Sequence, residues 1–214
     1  MSVSIGVIDY GMGNRRSVQK ALEHVGARAA ITSDHEALAR CDGLVLPGVG
    51  AFPAAMRNLA QRGLADFIRE QAHDAKPLLG ICLGMQVLFD GSQEGEPTAG
   101  LGLLGGQVRW LLSGARRLPH IGWNDVRFER SCTLTAALPS AGCPFYHVHS
   151  LVADPADSAD IVGTAEYGER FTTMVARDTI MGVQFHPEKS SAHGLLMLGS
   201  FLQCCRQGAP VARA

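Results

Sequence analysis

The chain has no unbroken apolar run of about 20 residues, the length a helix needs to cross a bilayer, so no membrane span is expected. It has no Cys-x-x-Cys pair. Its six cysteines, Cys41, Cys82, Cys132, Cys143, Cys204 and Cys205, are expected as reduced thiols rather than as a disulfide framework. Cys204 and Cys205 are expected at a helix end with one thiol buried. No basic run is long enough to follow a phosphate backbone, and 19 lysines and arginines stand against 20 acidic residues, so nucleic acid is not the expected partner. Residues 1–9 carry neither a charged n-region nor a long apolar h-region, which leaves the cytoplasm as the expected compartment. Internal repeats and low-complexity segments are missing too, which argues against a solenoid or an array.

What is present is a globular balance. Of the 214 residues, 46% are hydrophobic and 18% charged, and 25 glycines point to many tight turns between short elements. That length favours one domain, expected over residues 1–207 with a frayed tail at 208–214. Residues 3–9 form an apolar run of strand length, then comes Gly11-Met12-Gly13-Asn14, then a helical spacing of Val18, Leu22 and Val25. The unit recurs: residues 43–46 lead into Pro47-Gly48-Val49-Gly50 and a helix from about Pro53, and residues 78–81 lead into Cys82 and a helix to about Phe89. Strand–helix alternation predicts an α/β fold with a mostly parallel sheet covered on both faces. In the second half, runs at 105–111, 144–152, 161–166, 172–176 and 180–185 predict added strands, some antiparallel. A last helix is expected over 192–204, with Leu195, Leu198 and Leu202 on one face.

Ligands of open α/β sheets bind beyond the carboxyl ends of the strands, and Cys82 stands there. Gly80-Ile81-Cys82-Leu83-Gly84 has the spacing of a nucleophile elbow with Cys in place of Ser. Such a turn needs glycines because neighbouring segments come close, and it sets the sulfur at a helix N-terminus with the Leu83 amide toward an oxyanion. His186-Pro187-Glu188, directly after an apolar strand, supplies a base and a carboxylate to orient it. Pro187 restricts the backbone between them. The glycines of Pro47-Gly48-Val49-Gly50 let main-chain amides turn inward as a second half of an oxyanion site. Each feature alone has a plainer reading, a structural cysteine or a surface turn; their joint occurrence after three strands of one sheet favours a Cys-His-Glu triad. His147 and His149, at i and i+2, share one side of a strand and suggest metal, but no third ligand at suitable spacing supports one, and neither metal nor cofactor is expected.

Gly80-Ile81-Cys82-Leu83-Gly84-Met85-Gln86 with Gln184-Phe185-His186-Pro187-Glu188 resembles the signature of class I (triad) glutamine amidotransferases. Four further segments, residues 8–14, 46–52, 119–124 and 182–190, resemble the glutaminase subunits of imidazole glycerol phosphate synthases, and the likeness runs from about residue 4 to residue 203. It implies that Cys82 attacks the side-chain amide of glutamine to give a thioester and ammonia, with His186 as base and acid and Glu188 as its orienter. It puts Gly48, Val49, Gly50 and Leu83 at the oxyanion loop and elbow, and Gln86 and Ser150 against the substrate. It implies docking, as a heterodimer, on a barrel-shaped cyclase subunit that takes the ammonia, with Asn14, Trp123, Tyr146 and Lys189 facing that partner. His147 departs from the aromatic residue of the family pattern, and Leu151 from the tyrosine that commonly follows. Arg15 and Arg16 are expected as a solvated pair beside Asn14.

Three other readings stay open on the sequence. A glutaminase of the same class could feed ammonia to a different synthase; a silent subunit could keep the fold and regulate a partner; a stand-alone thiol hydrolase could work without one. The intact Cys82, His186 and Glu188 argue against the silent subunit, and only the interface segments favour the cyclase. Because ammonia released without an acceptor wastes glutamine, gating through Pro47-Gly48-Val49-Gly50 is expected.

Overall fold

The computed structural model describes residues 2–207. In chain order it forms β1 (Ser4–Ile8), α1 (Arg15–His24), β2 (Arg28–Thr32), α2 (His35–Ala39), β3 (Gly43–Gly48), α3 (Phe52–Gln61), α4 (Leu64–His73), β4 (Leu78–Cys82) and α5 (Leu83–Gln86). It continues through β5 (Phe89–Ser92), β6 (Thr98–Ala99), β7 (Leu104–Trp110), β8 (His120–Phe128), β9 (Cys143–His149), β10 (Leu151–Pro155), β11 (Ile161–Tyr167), β12 (Glu169–Arg177), β13 (Ile180–Val183) and α6 (Ser191–Gln207). The α/β expectation holds: β2, β1, β3, β4 and β13 lie side by side and parallel. Beyond them the sheet runs antiparallel through β12, β10 and β7, and β11 leads off to the β8–β9 pair.

Every residue of β3 and β4 is buried, as expected of central strands that helices cover on both faces. On one face Val18 and Leu22 of α1 meet Leu198, Phe201 and Leu202 of α6. On the other, Leu38 of α2, Phe52 and Leu59 of α3, and Leu64 and Ile68 of α4 pack together. Local chemistry sets several ends: Asp34 caps α2 by accepting the Ala37 amide, and Pro53 sits in the first turn of α3, where its missing N–H costs nothing. Among the described residues no helix is long and apolar enough to cross a membrane.

Several local expectations need correction. The helix after Cys82 stops at Gln86 instead of reaching Phe89, because the carbonyls of Val87 and Leu88 accept amides from Leu101, Leu103 and Leu104, which draws the chain into β5. The run at 144–152 is two strands that part at Ser150: β9 pairs with β8, while β10 pairs with β7 and β12. Strand β8 went unread because His120, Gly122, Asn124 and Asp125 give it little apolar alternation. Arg15 is no member of a solvated pair, since it is ion-paired with Asp9, while Arg16 is exposed. Both Cys204 and Cys205 are buried rather than one, and no disulfide joins any of the six cysteines. The tail at 208–214 lies outside the described residues.

The turn after β4 is packed to its limit. A methyl group on Gly84 would lie 1.7 Å from the Leu46 carbonyl oxygen, whereas one on Gly199, inside α6, would meet nothing within 4 Å. Backbone cannot retreat as a side chain can, so Gly84→Ala is expected to lose roughly 3 kcal/mol of stability. Gly199→Ala is expected to gain about 0.5–1 kcal/mol from helix propensity. Denaturant unfolding of the two variants beside the parent chain measures both.

Candidate active site

Cys82 ends β4 with φ 56° and ψ −114°, a left-handed backbone that a non-glycine residue holds only under constraint from its surroundings. The constraint is visible on both sides. A Cβ on Gly80 would lie 2.6 Å from the Gly84 carbonyl oxygen, and one on Gly48 would lie 2.8 Å from the Gly84 nitrogen and from the Leu83 Cβ. The glycines of the elbow and of the facing strand are therefore required by close approach, as the spacing predicted. Gly48 stands opposite Cys82 in the β3–β4 register, so the expected oxyanion segment and the nucleophile share one strand edge. Leu83 is the first residue of α5, where an amide has no partner within its own helix. Val49 is exposed and Gly50 turns at φ 105°.

The same edge receives the histidine. Strand β13 pairs parallel with β4, Val183 opposite Ile81, and the chain then turns through the 3-10 segment Pro187–Lys189. His186 is held at its backbone: its amide donates to the Tyr146 carbonyl at 2.9 Å, and its carbonyl accepts the Ser190 hydroxyl at 2.6 Å. Its ring Nδ1 lies 2.9 Å from Glu188 Oε1, both side chains being almost fully buried. Burial works against a charge on this ring, but the hydrogen bonds and charges of Cys82 and Glu188 outweigh it and raise His186 to about 9. The structure thus brings Cys82, His186 and Glu188 together.

The thiol has further neighbours. Its Sγ is 3.8 Å from the Val148 carbonyl and 3.7 Å from the Nε2 amide of Gln184. Gln86 is buried and donates to the Leu151 carbonyl at 3.2 Å and to Gln184 Oε1 at 3.0 Å. Ser150 lies half-buried between β9 and β10, two residues after Val148. Asn14 stands at the start of α1, its carbonyl accepting the Val18 amide and its Oδ1 the Ser17 hydroxyl, and α1 touches the turn that carries the exposed Lys189. That turn touches β9, where Tyr146 points outward and meets Trp123 of β8 edge to face, ring centres 6.1 Å apart. Trp123 is 53% exposed and Ile121 59%. Asn14, Lys189, Tyr146 and Trp123 therefore lie along one chain of touching elements.

Sequence reasoning passed over four residues. Gln184 opens the Gln184-Phe185-His186-Pro187-Glu188 segment, whose pattern gives it no role. Glu94 accepts the Phe52 amide at 2.6 Å and ties the segment after β5 to the start of α3, just past Gly50. Tyr10 is fully buried with its hydroxyl beside Gly48 and no hydrogen-bond partner among the described residues. It also passed over the third member of the histidine cluster, His120, which meets His149 across 29 positions of sequence, Nδ1 to Nε2 at 3.0 Å. The β8–β9 pairing brings this third ring to His149, a meeting that no local spacing reveals. Among the described residues no group of three or more His, Cys, Asp or Glu is arranged to hold a metal ion.

A strained cysteine elbow facing a histidine–carboxylate pair at the edge of a parallel sheet is the architecture of a thiol-nucleophile amide hydrolase. The family model described as "Glutamine amidotransferase class-I" matches residues 6–203, and the chain belongs to that family. It is 49% identical over 202 residues to a protein of Moorella thermoacetica named "Imidazole glycerol phosphate synthase subunit HisH", covering 94% of this chain and 95% of that one. A relative of the same name from Geobacillus thermodenitrificans is 47% identical, covering 92% and 94%. Among solved structures, one described as PurLQS from Thermotoga maritima superposes with a TM-score of 0.75 at 21% identity, covering 95% of this chain and 99% of that one. Another, described as a glutamine amidotransferase, gives 0.74 at 20%, covering 94% and 98%. At those identities the two structures bear on the fold alone.

The Glu188 contact sets a pH dependence. A histidine raised from 6.5 to about 9 adds stability that is fully present below pH 6.5 and is lost as pH rises through about 9. Glu188→Gln removes the charge opposite the ring, so its His186 is expected to titrate below about 9. The stability gap to the parent should then be widest near pH 6 and should narrow toward pH 9. NMR titration of the ring, with unfolding at both pH values, checks this; an unchanged titration would remove Glu188 as its partner.

Proposed function

We infer that this chain is the glutaminase subunit of an imidazole glycerol phosphate synthase, which hydrolyses L-glutamine to glutamate and ammonia for use by a cyclase subunit. The observation that carries the chemistry is the Cys82 thiol, on its strained turn, facing a His186 ring held at 2.9 Å by Glu188.

The steps follow from that geometry. The thiol proton passes to His186 and the sulfur attacks the side-chain amide carbon of glutamine, pushing an electron pair onto the amide oxygen. That oxyanion is met by the Leu83 amide and by amides of the Gly48-Val49-Gly50 segment. His186 returns the proton to the departing nitrogen, ammonia leaves, and a γ-glutamyl thioester remains on Cys82. Water then attacks the thioester as His186 takes one of its protons; glutamate departs and the thiol is restored. Glu188 fixes the ring orientation and supports its charged form. Gln86 and Ser150 are assigned to substrate glutamine.

The partner reading rests on the relatives' shared name and on the rim of Asn14, Tyr146, Trp123 and Lys189. Trp123 and Tyr146 have the character of aromatic anchors, which carry most of the binding energy in protein interfaces. The product ammonia would pass to a cyclase subunit that forms imidazole glycerol phosphate and the aminoimidazole carboxamide ribotide, in a heterodimer. Six thiols without a disulfide suit a reducing cytoplasm.

Glutamate release is to be measured for the chain alone and with the cyclase subunit and its ribonucleotide substrate, and strong stimulation is expected. No stimulation, with Cys82 still alkylatable, would point to another ammonia acceptor. Cys82→Ser should abolish glutamine use while synthesis from ammonium salt continues. His186→Ala should lose on the order of 10⁴-fold in glutamine turnover, and Glu188→Gln less, because the base remains. Trp123→Ala is expected to weaken docking by about 2 kcal/mol, close to thirtyfold in Kd by titration calorimetry, without changing the fold.

A further inference from the structure

The buried cluster of His120, His147 and His149 takes no part in the chemistry above, yet its hydrogen bonds lead to the nucleophile. The protons can be placed from the partners. His149 Nδ1 lies 3.0 Å from the Leu151 carbonyl, which only accepts, so Nδ1 carries the hydrogen and Nε2 the lone pair. His120 Nδ1, 3.0 Å from that lone pair, must donate to it. His120 Nε2 is then an acceptor, and the Asn124 side-chain amide donates to it at 3.3 Å. The same amide donates to the Glu166 carbonyl at 3.0 Å. His147 is fixed likewise, donating from Nδ1 to the Phe145 carbonyl at 3.1 Å and accepting the Thr173 hydroxyl at Nε2 at 2.8 Å.

All three rings are neutral. Burial, with the nearby charge of Arg116, lowers His120 to about 4, and burial with His120 and His186 lowers His149 to about 3. His147 is lowered well below the ordinary value, first by burial. From the Leu151 carbonyl the chain of bonds continues, because Gln86 donates to that same oxygen at 3.2 Å and to Gln184 at 3.0 Å, and Gln184 reaches Cys82 Sγ at 3.7 Å. A continuous series of hydrogen bonds therefore runs from Asn124, next to the exposed Trp123, through His120, His149, Leu151, Gln86 and Gln184 to the sulfur, its sense reversing at the Leu151 carbonyl, which accepts from both His149 and Gln86.

We propose that His120 is a positioning residue for glutamine hydrolysis: its Nδ1–H holds the His149 ring that grips the Leu151 carbonyl, and so sets Gln86 and Gln184 around Cys82. This rests on the glutaminase reading of Cys82. The size of the effect follows from how steeply turnover depends on the placement of reacting groups, about 10²-fold for a displacement of about 1 Å.

Two substitutions separate positioning from packing. His120→Phe keeps an aromatic ring stacked on Tyr167, whose centre is 4.1 Å away, but leaves His149 Nε2 without a donor. His120→Asn gives up the ring but keeps an amide N–H where Nδ1 stands. Each full-length variant is assayed with the cyclase subunit, once with glutamine and once with ammonium salt. Expected are at least a tenfold loss of glutamine-dependent turnover for His120→Phe, ammonium-dependent synthesis at the parent rate, and His120→Asn within threefold of the parent. His120→Phe within twofold of the parent, or His120→Asn as poor as His120→Phe, overturns the proposal in favour of packing. If His120→Phe does not fold, Asn124→Leu removes the preceding donor, and full glutamine turnover in that variant overturns it as well. A parent complex that uses ammonium but not glutamine would instead strike down the glutaminase reading, and this inference with it.

Discussion

Where β4 ends, its backbone passes so close to β3 that no side chain fits between them. Gly84 lies against the Leu46 carbonyl and Gly48 against Leu83, and the residue between these contacts, Cys82, is left in a left-handed conformation it would not choose alone. The strain persists because the flanking strands are buried on both faces and paired in register, Gly48 opposite Cys82 and Gly182 opposite Gly80. Close backbone packing thus does two things at once. It projects the sulfur from the sheet edge, and it aligns the strand ends that carry the oxyanion segment and His186.

The antiparallel half completes the site by a different route. Strand β9 alternates strictly, turning Phe145, His147 and His149 inward and Tyr146 outward. Its outward residue joins Trp123 on the rim, its backbone carbonyl at Tyr146 holds the His186 amide, and its inward His149 joins the polar series behind the sulfur. One strand therefore touches the proposed docking rim, the proposed base and the surroundings of the nucleophile. The three histidines there remain neutral and paired, the condition under which such a network rigidifies a site rather than weakening it.

Much of this was legible in residue order. The α/β class, the elbow, the His-Pro-Glu turn and the strand–helix units of the first half depend on short-range properties: apolar period, glycine where backbones meet, proline where a turn must hold. Strand β8 was not legible, because an edge-like strand of His, Gly, Asn and Asp gains its place from pairing with β9 and β11 rather than from its own pattern. The helix after Cys82 was overextended for a related reason, since the backbone groups of Val87 and Leu88 are claimed by residues more than a dozen positions away.

By itself, then, the sequence determined the kind of fold and pointed to the three residues proposed to react, since steric and covalent constraints within a few residues decide both. Only the tertiary structure decided which groups meet those residues: Gln184 on Cys82 across 102 positions, Gln86 on Leu151 across 65, and His120 on His149 across 29. Such meetings follow from strand register and sheet order, and these are set by the burial of whole faces, a property of the assembled chain that no local spacing records.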